Sequence, residues 1–164
     1  MITDAEKILI DHGPPEKVLR HCLAVGELSR ILAEALNEAG CRLDTELCRR
    51  GGILHDICRT EKNHAERGRE LLASMGLEAE AALVGAHMGE GIDAEHIGEK
   101  EVVFLADKLL KCDRRVSVET RYGDVAEKYA GDAAAIAAAE ERKKQALALK
   151  EKAEALLGRS LDEI

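Results

Sequence analysis

Apolar residues recur at three- and four-residue steps along almost the whole chain, and no stretch alternates polar and apolar residues as a half-buried strand does. That periodicity restricts the fold to helices packed on helices. It predicts helices over Asp4 to Asp11, Glu16 to Ala39, Asp44 to Ile57 or Cys58, Asn63 to Met75, Glu78 to Met88, Glu99 to Lys111 and Val118 to Tyr129. A long helix from Asp132 to about Leu157 closes the series. Gly13-Pro14-Pro15 separates the first two, since proline cannot continue a helix but can open one. Asp44 and Asn63 are the expected caps of the third and fourth. The fold class is all-α: a compact helical bundle over residues 1–130, with residues 131–164 as a helical extension packed on it or on a partner.

The extension differs in kind. Six alanines and one isoleucine fill Ala133 to Ala139, and charged clusters with sparse leucines follow. High helix propensity and pairs such as Glu140–Lys144 support an exposed helix, and its thin apolar stripe suits the body or a second copy in a homodimer.

Phe104, Tyr122 and Tyr129 are the whole aromatic set, so the core is built from Leu, Val, Ile and Ala. The formal net charge is −8, which argues against broad nucleic-acid binding, because phosphate contacts need a basic face. A few cations converging at one pocket still suffice for a small phosphorylated ligand. The five cysteines are odd in number and contain no Cys-x-x-Cys pair, unlike a disulfide framework or zinc knuckle. Cys22, Cys48 and Cys58 read as small core residues. No apolar run approaches the roughly 20 residues of a membrane span, and the Met1 to Glu6 stretch lacks the signature of a signal peptide. Those features and the reduced thiols lead to a cytoplasmic expectation.

Four of the six histidines and two aspartates sit beside the apolar stripes. His21 lies one turn before Val25, His55-Asp56 ends the third helix, His64 opens the fourth, His87 closes the fifth, and Asp107 stands among Val103, Ala106 and Leu110. A bare carboxylate on an apolar helix face costs several kcal/mol unless a cation or strong donors neutralise it. A metal does so directly, and histidine with carboxylate suits Fe, Mn, Co, Ni or Zn. His12 and His96 fall at a helix end and in a glycine-bordered loop, as surface residues do; Asp113 and Asp124 read as ordinary loop or capping carboxylates.

The ordered set Val18-x-x-His21, Gly-Gly-Ile-Leu-His55-Asp56, His64, His87 and Phe104-Leu-Ala-Asp107-Lys108 resembles the HD superfamily of metal-dependent phosphohydrolases over roughly Glu16 to Tyr122. The resemblance implies His21, His55, Asp56 and Asp107 as ligands of a first divalent metal. It implies His64 and His87 as ligands of a second, with Asp56 bridging. It further implies attack of a metal-activated water on the phosphorus of a nucleotide or small phosphorylated metabolite. Asp56, Arg59 and Lys108 are the catalytic candidates. Where the family often has Gly-Lys after His-Asp, this chain has Cys58-Arg59, and the guanidinium keeps a cation able to grip phosphate in a bidentate fork. The nine-residue step from His55 to His64 is short for a two-metal member.

Lys17, one turn before His21, and Lys111, one turn after Asp107, are candidate substrate contacts, with Arg114, Arg115, Arg121 and Tyr122. Two alternatives remain: a di-iron oxygenase of the same fold, which uses the same ligands, and a regulatory HD module that has lost catalysis, a kind that typically lacks one or more of the ligands present here.

Overall fold

The computed structural model describes residues 3–164; Met1 and Ile2, the start of the amino-terminal stretch discussed above, lie outside them. The described residues form α1 (Asp4–His12), α2 (Glu16–Glu38), α3 (Thr45–Leu54), α4 (His64–Ser74), α5 (Glu78–Ala86) and α6 (Glu99–Lys108). A small hairpin of β1 (Leu110–Lys111) and β2 (Arg114–Arg115) follows, then α7 (Val118–Arg121), α8 (Val125–Lys128), α9 (Ala133–Leu157) and a final 3-10 turn (Leu161–Glu163). The architecture is all-α, and no described helix is long and apolar enough to cross a membrane.

Local chemistry sets the helix starts. Thr3 and Glu6 form a reciprocal capping box on α1. Asp44 accepts from the Leu47 amide at 2.9 Å, and Asp132 from the Ala135 amide at 3.0 Å. Asn63 departs from expectation: it precedes α4 in a left-handed conformation (φ 52°), and its side chain makes no capping bond. Asparagine tolerates that region because its short side chain crowds the backbone little. Here it turns the chain sharply into His64.

Two further expectations need correction. The helix predicted to reach Lys111 stops at Lys108, and the next residues pair antiparallel, Leu110 with Arg115 and Lys111 with Arg114. The turn between them carries Cys112 at φ 57°. A tight turn of this kind usually advertises itself with Asn-Gly or Asp-Gly, and Cys112-Asp113 carries no such signal. The single helix expected over Val118 to Tyr129 is divided into α7 and α8 by Tyr122, Gly123 and Asp124.

α2 and α3 meet backbone to backbone. A Cβ on Gly52 would stand 2.7 Å from the Gly26 Cα, and one on Gly26 would stand 3.0 Å from the Arg49 carbonyl oxygen. This contact lets the histidine at the start of α2 reach the one that ends α3. Leu28, Leu32, Leu36, Phe104, Leu105 and Leu149 belong to one apolar cluster, and Leu9, Ile53, Leu54 and Leu72 to a second. Each fully buried Leu or Phe contributes on the order of 2 kcal/mol.

α9 packs on the body. Ala139, Ala146, Leu149 and Ala153 are buried in the first cluster, and Leu161 beyond the helix is fully buried with them. The Arg115 guanidinium donates to the carbonyls of Leu161 at 3.2 Å and Ile164 at 3.0 Å, tying the carboxyl-terminal turn to the hairpin.

Candidate metal centre

Five helices converge on one buried cluster. α2 supplies His21, the end of α3 His55 and Asp56, the start of α4 His64, the end of α5 His87, and α6 Asp107. His55, Asp56, His87 and Asp107 are buried, and His21 and His64 are partly so. His21 Nε2 stands 2.9 Å from Asp107 Oδ1. His55 Nε2 lies 3.6 Å from both Asp56 Oδ2 and Asp107 Oδ1. On the other side, Asp56 Oδ1 is 3.4 Å from His64 Nε2 and 3.3 Å from His87 Nε2. Two ligand groups able to hold a metal ion result, His21–His55–Asp56 and Asp56–His64–His87, with Asp56 in both.

The imidazoles are oriented from behind. Their Nδ1 atoms face backbone carbonyls: His55 that of Gly52 at 2.7 Å, His87 that of Val84 at 2.6 Å, and His21 that of Cys112 at 2.7 Å. With Nδ1–H donating to a carbonyl, the neutral ring turns a bare Nε2 lone pair into the cluster, the tautomer a metal requires. The His55 Nε2 is fully buried and has no hydrogen-bond partner. An orphaned buried nitrogen costs about 1–3 kcal/mol, and a divalent cation between these imidazoles and carboxylates removes that cost. The donor set therefore fits a metal.

The charges of the cluster act strongly on one another: against the effect of burial, Asp56 and Asp107 raise the His55 imidazole above its ordinary value. Burial alone would raise the Asp56 carboxyl, but the His55 and His87 imidazoles overcome it and hold the group well below its usual range. Asp107 behaves likewise, with burial opposed by the Lys108 ammonium and by His21 and His55. Burial and the neighbouring His87 bring His64 down to about 4, which keeps it neutral and able to ligate near pH 7. Lys108 is buried, and burial lowers its ammonium pKa against the opposing pull of Asp107. Its Nζ lies 2.5 Å from Asp107 Oδ2 and donates to the His87 carbonyl at 3.2 Å. It holds the Asp107 carboxylate and the end of α5 in place, which makes it a positioning residue.

Above the cluster lies an open cleft. Arg59 Nε approaches Asp56 Oδ2 at 3.7 Å, and Arg121 Nη2 approaches Asp107 Oδ1 at 3.9 Å, so one guanidinium stands beside each carboxylate. Tyr122 lines the same cleft, its phenol pushed up to about 12 by burial. Lys17 and Lys111 line an adjoining groove. Arg114 and Arg115 line neither; Arg115 is engaged with the carboxyl-terminal turn.

Sequence reasoning missed several residues. Lys128, Tyr129 and Arg142 line the cleft, and so does Asp124, which was expected to be an ordinary carboxylate and pairs with Lys111 at 3.6 Å. The doublet Lys128-Tyr129 at the end of α8 carried a weak signal; Arg142 stands in a run of charged residues that gave none. His96 is exposed and pairs with Asp93. His12 is exposed too, yet it groups with Cys58 and Glu61 closely enough to offer three ligand atoms to an ion.

An all-α bundle that gathers histidines and aspartates from five helices into a metal-capable centre defines a small class of proteins, and comparison with known sequences makes it definite. The family model described as "HD domain" matches residues 18–111, more than half the chain, so the chain belongs to the HD domain family, whose members are typically metal-dependent phosphohydrolases. An uncharacterized protein of Methanocaldococcus jannaschii is 35% identical over 122 residues, covering 63% of this chain and 72% of that protein. A Picrophilus torridus protein named tRNA (cytidine(56)-2'-O)-methyltransferase is 27% identical over 175 residues, covering 96% of this chain and 47% of that protein. The chain thus spans about half of the second relative. No solved structure matches it.

Proposed function

We propose that the chain is a phosphohydrolase that uses one or two divalent transition metals to cleave a phosphate ester or anhydride of a nucleotide or small phosphorylated metabolite. The observation that carries this reading is the shared carboxylate: Asp56 belongs to two ligand groups that turn bare imidazole nitrogens toward it, beneath a cleft flanked by two guanidiniums. His21, His55, Asp56 and Asp107 would hold a first ion, and Asp56, His64 and His87 a second. Bound metals supply an activated water and neutralise charge on the phosphoryl group. The chain's own residues do the rest. Arg59 and Arg121 grip the non-bridging oxygens, Lys108 fixes Asp107, and three backbone carbonyls hold the imidazoles in the ligating tautomer.

The name of the Picrophilus relative concerns methyl transfer to tRNA, and more than half of that protein lies outside the match. It makes phosphorylated RNA fragments a substrate set to include beside free nucleotides. A di-iron oxygenase would use the same ligands; the paired guanidiniums over the carboxylates favour a phosphorylated substrate.

The test is metal content of the purified protein together with turnover of phosphate esters in added Mn, Co, Ni or Fe, repeated on Asp56→Ala. Metal in the wild type and activity abolished in the variant is the expected result. Neither metal nor turnover under any condition would overturn the reading.

A further inference from the structure

The cleft over the metal centre does not end there. A second, open groove runs from it along the start of α2 and the β1–β2 turn, and the two share Asp56, Arg59, Arg121, Asp124 and Lys128. A phosphorus held at the candidate metal centre would sit where the two meet, with open space on both sides. The two sides differ in chemistry. The first holds Tyr122 and Tyr129, two of the chain's three aromatic residues, with Arg142. The second adds Lys17 and Lys111 beside Val18, His21 and Cys112, and Lys128 lies between the two.

In a chain of formal charge −8, the second groove gathers five cations, Lys17, Arg59, Lys111, Arg121 and Lys128, against two carboxylates, Asp56 and Asp124. Asp56 belongs to the metal centre, which leaves Asp124 as the counter-charge, and it is engaged with Lys111 at 3.6 Å. Arg59 and Arg121 stand over the centre itself. Lys17 and Lys128 make no ion pair among the described residues; Lys128 rests over the Tyr129 ring at 5.3 Å. Unpaired ammoniums held together in a concave surface repel one another, and that repulsion is relieved by an anion.

We infer that the substrate carries a second anionic group beyond the phosphorus under attack, and that Lys17, Lys111 and Lys128 hold it in this groove. The substrate class is a diphosphate or a phosphate diester flanked by a further phosphate; a lone monoester leaves the groove empty. Hydrolysis then forms a bond from water oxygen to the phosphorus at the metal centre and breaks that phosphorus's bond to its anhydride or ester oxygen, which leaves with the proton that water loses. The inference rests on the phosphohydrolase reading and selects within it.

The test compares two non-hydrolysable probes, methylenebisphosphonate and methylphosphonate, by calorimetry on the metal-loaded protein. The wild type is expected to bind the bisphosphonate roughly tenfold or more tightly, and Lys17→Ala/Lys111→Ala to lose most of that preference, since one lost charge contact is about a factor of ten. Lys17→Arg/Lys111→Arg, which keeps both charges, is expected to retain it. Metal content and circular dichroism of each variant report whether the centre and fold persist. Equal affinity for the two probes, or a uniform weakening of both in the double variant, would overturn the inference while phosphatase turnover remained. Loss of metal binding and turnover in the wild type would instead sink the functional reading beneath it.

Discussion

His64 Nε2 and His87 Nε2 stand 3.1 Å apart, brought together from α4 and α5 across 23 residues of sequence. His87 turns its Nδ1 to the Val84 carbonyl at 2.6 Å, so a neutral ring presents a bare nitrogen to its neighbour. His64 Nε2–H can donate to that nitrogen, and a cation beside Asp56 Oδ1 would replace the shared proton with a ligand bond from each ring. His64→Ala is the milder probe, because its ring is partly exposed. If the proposed site holds two ions, the variant is expected to fall from about two metals per chain to about one, the His21 side remaining filled. Elemental analysis after dialysis checks it, and an unchanged metal content would show that α4 contributes no ligand.

Lys108 exerts its effect through Asp107. Both side chains are buried, and the pair sits between the apolar cluster and the metal centre. Removing one partner of a buried pair typically costs about 3–5 kcal/mol, because the other is left charged and unpaired. Lys108→Met is therefore expected to destabilise the metal-free protein by about 3 kcal/mol in urea unfolding. Added divalent metal should return much of that loss, since the ion neutralises the same carboxylate. A loss that metal leaves untouched would assign Lys108 to packing against Phe104, over whose ring its ammonium also lies at 4.7 Å.

The clustered histidines and aspartates were legible because each is an improbable residue in its place, a histidine or aspartate on an apolar helical stripe. Asp107 shows this best: the physical cost of an uncompensated carboxylate among Val103, Ala106 and Leu110 already calls for a cation. Arg142 shows the opposite case. Glu140, Glu141, Arg142, Lys143 and Lys144 are equally plausible surface residues, and only the packing of Ala139 and Ala146 against the body decides which one faces the cleft. Alanine is ambiguous in the same way, being at home on an exposed helix and in a close helix–helix contact. The β1–β2 hairpin was hidden because its turn lacks glycine and asparagine, yet its Cys112 carbonyl orients His21.

The carboxyl-terminal turn carries a pH-dependent latch. Glu154 Oε2 accepts from the Leu161 amide at 2.9 Å and its Oε1 from Lys150 at 3.1 Å. The Leu161 amide, then Lys150, hold the carboxyl below its ordinary value of 4.5 against the opposing effect of burial. A carboxyl with a lowered folded pKa contributes stability that is fully present above 4.5 and is lost as the pH falls through the folded value. Wild type is thus expected to lose more stability than Glu154→Gln on acidification below 4.5, the two curves separating by roughly 1 kcal/mol at higher pH, the worth of a charge-assisted hydrogen bond. Parallel curves in thermal melts across that range would remove Glu154 from the latch.

The distance between His21 and His55 depends on two glycines that touch. A methyl on Gly52 meets the Gly26 Cα at 2.7 Å and its nitrogen at 2.8 Å, and backbone atoms cannot swing aside as a side chain can. Gly52→Ala must therefore push α2 from α3, at a cost of about 2–3 kcal/mol or more from overpacking. The displacement separates His21 from the His55-Asp56 pair, so metal affinity on that side should fall along with stability. Gly85→Ala is the control: its methyl meets the Arg69 Cδ at 2.7 Å, part of a flexible, half-exposed side chain that can move. That variant is expected to keep stability within about 1 kcal/mol and to keep its metals, alanine being the better helix former. Equal losses in the two variants, read by urea unfolding and elemental analysis, would mean that the Gly26–Gly52 contact does not set the spacing of the ligands.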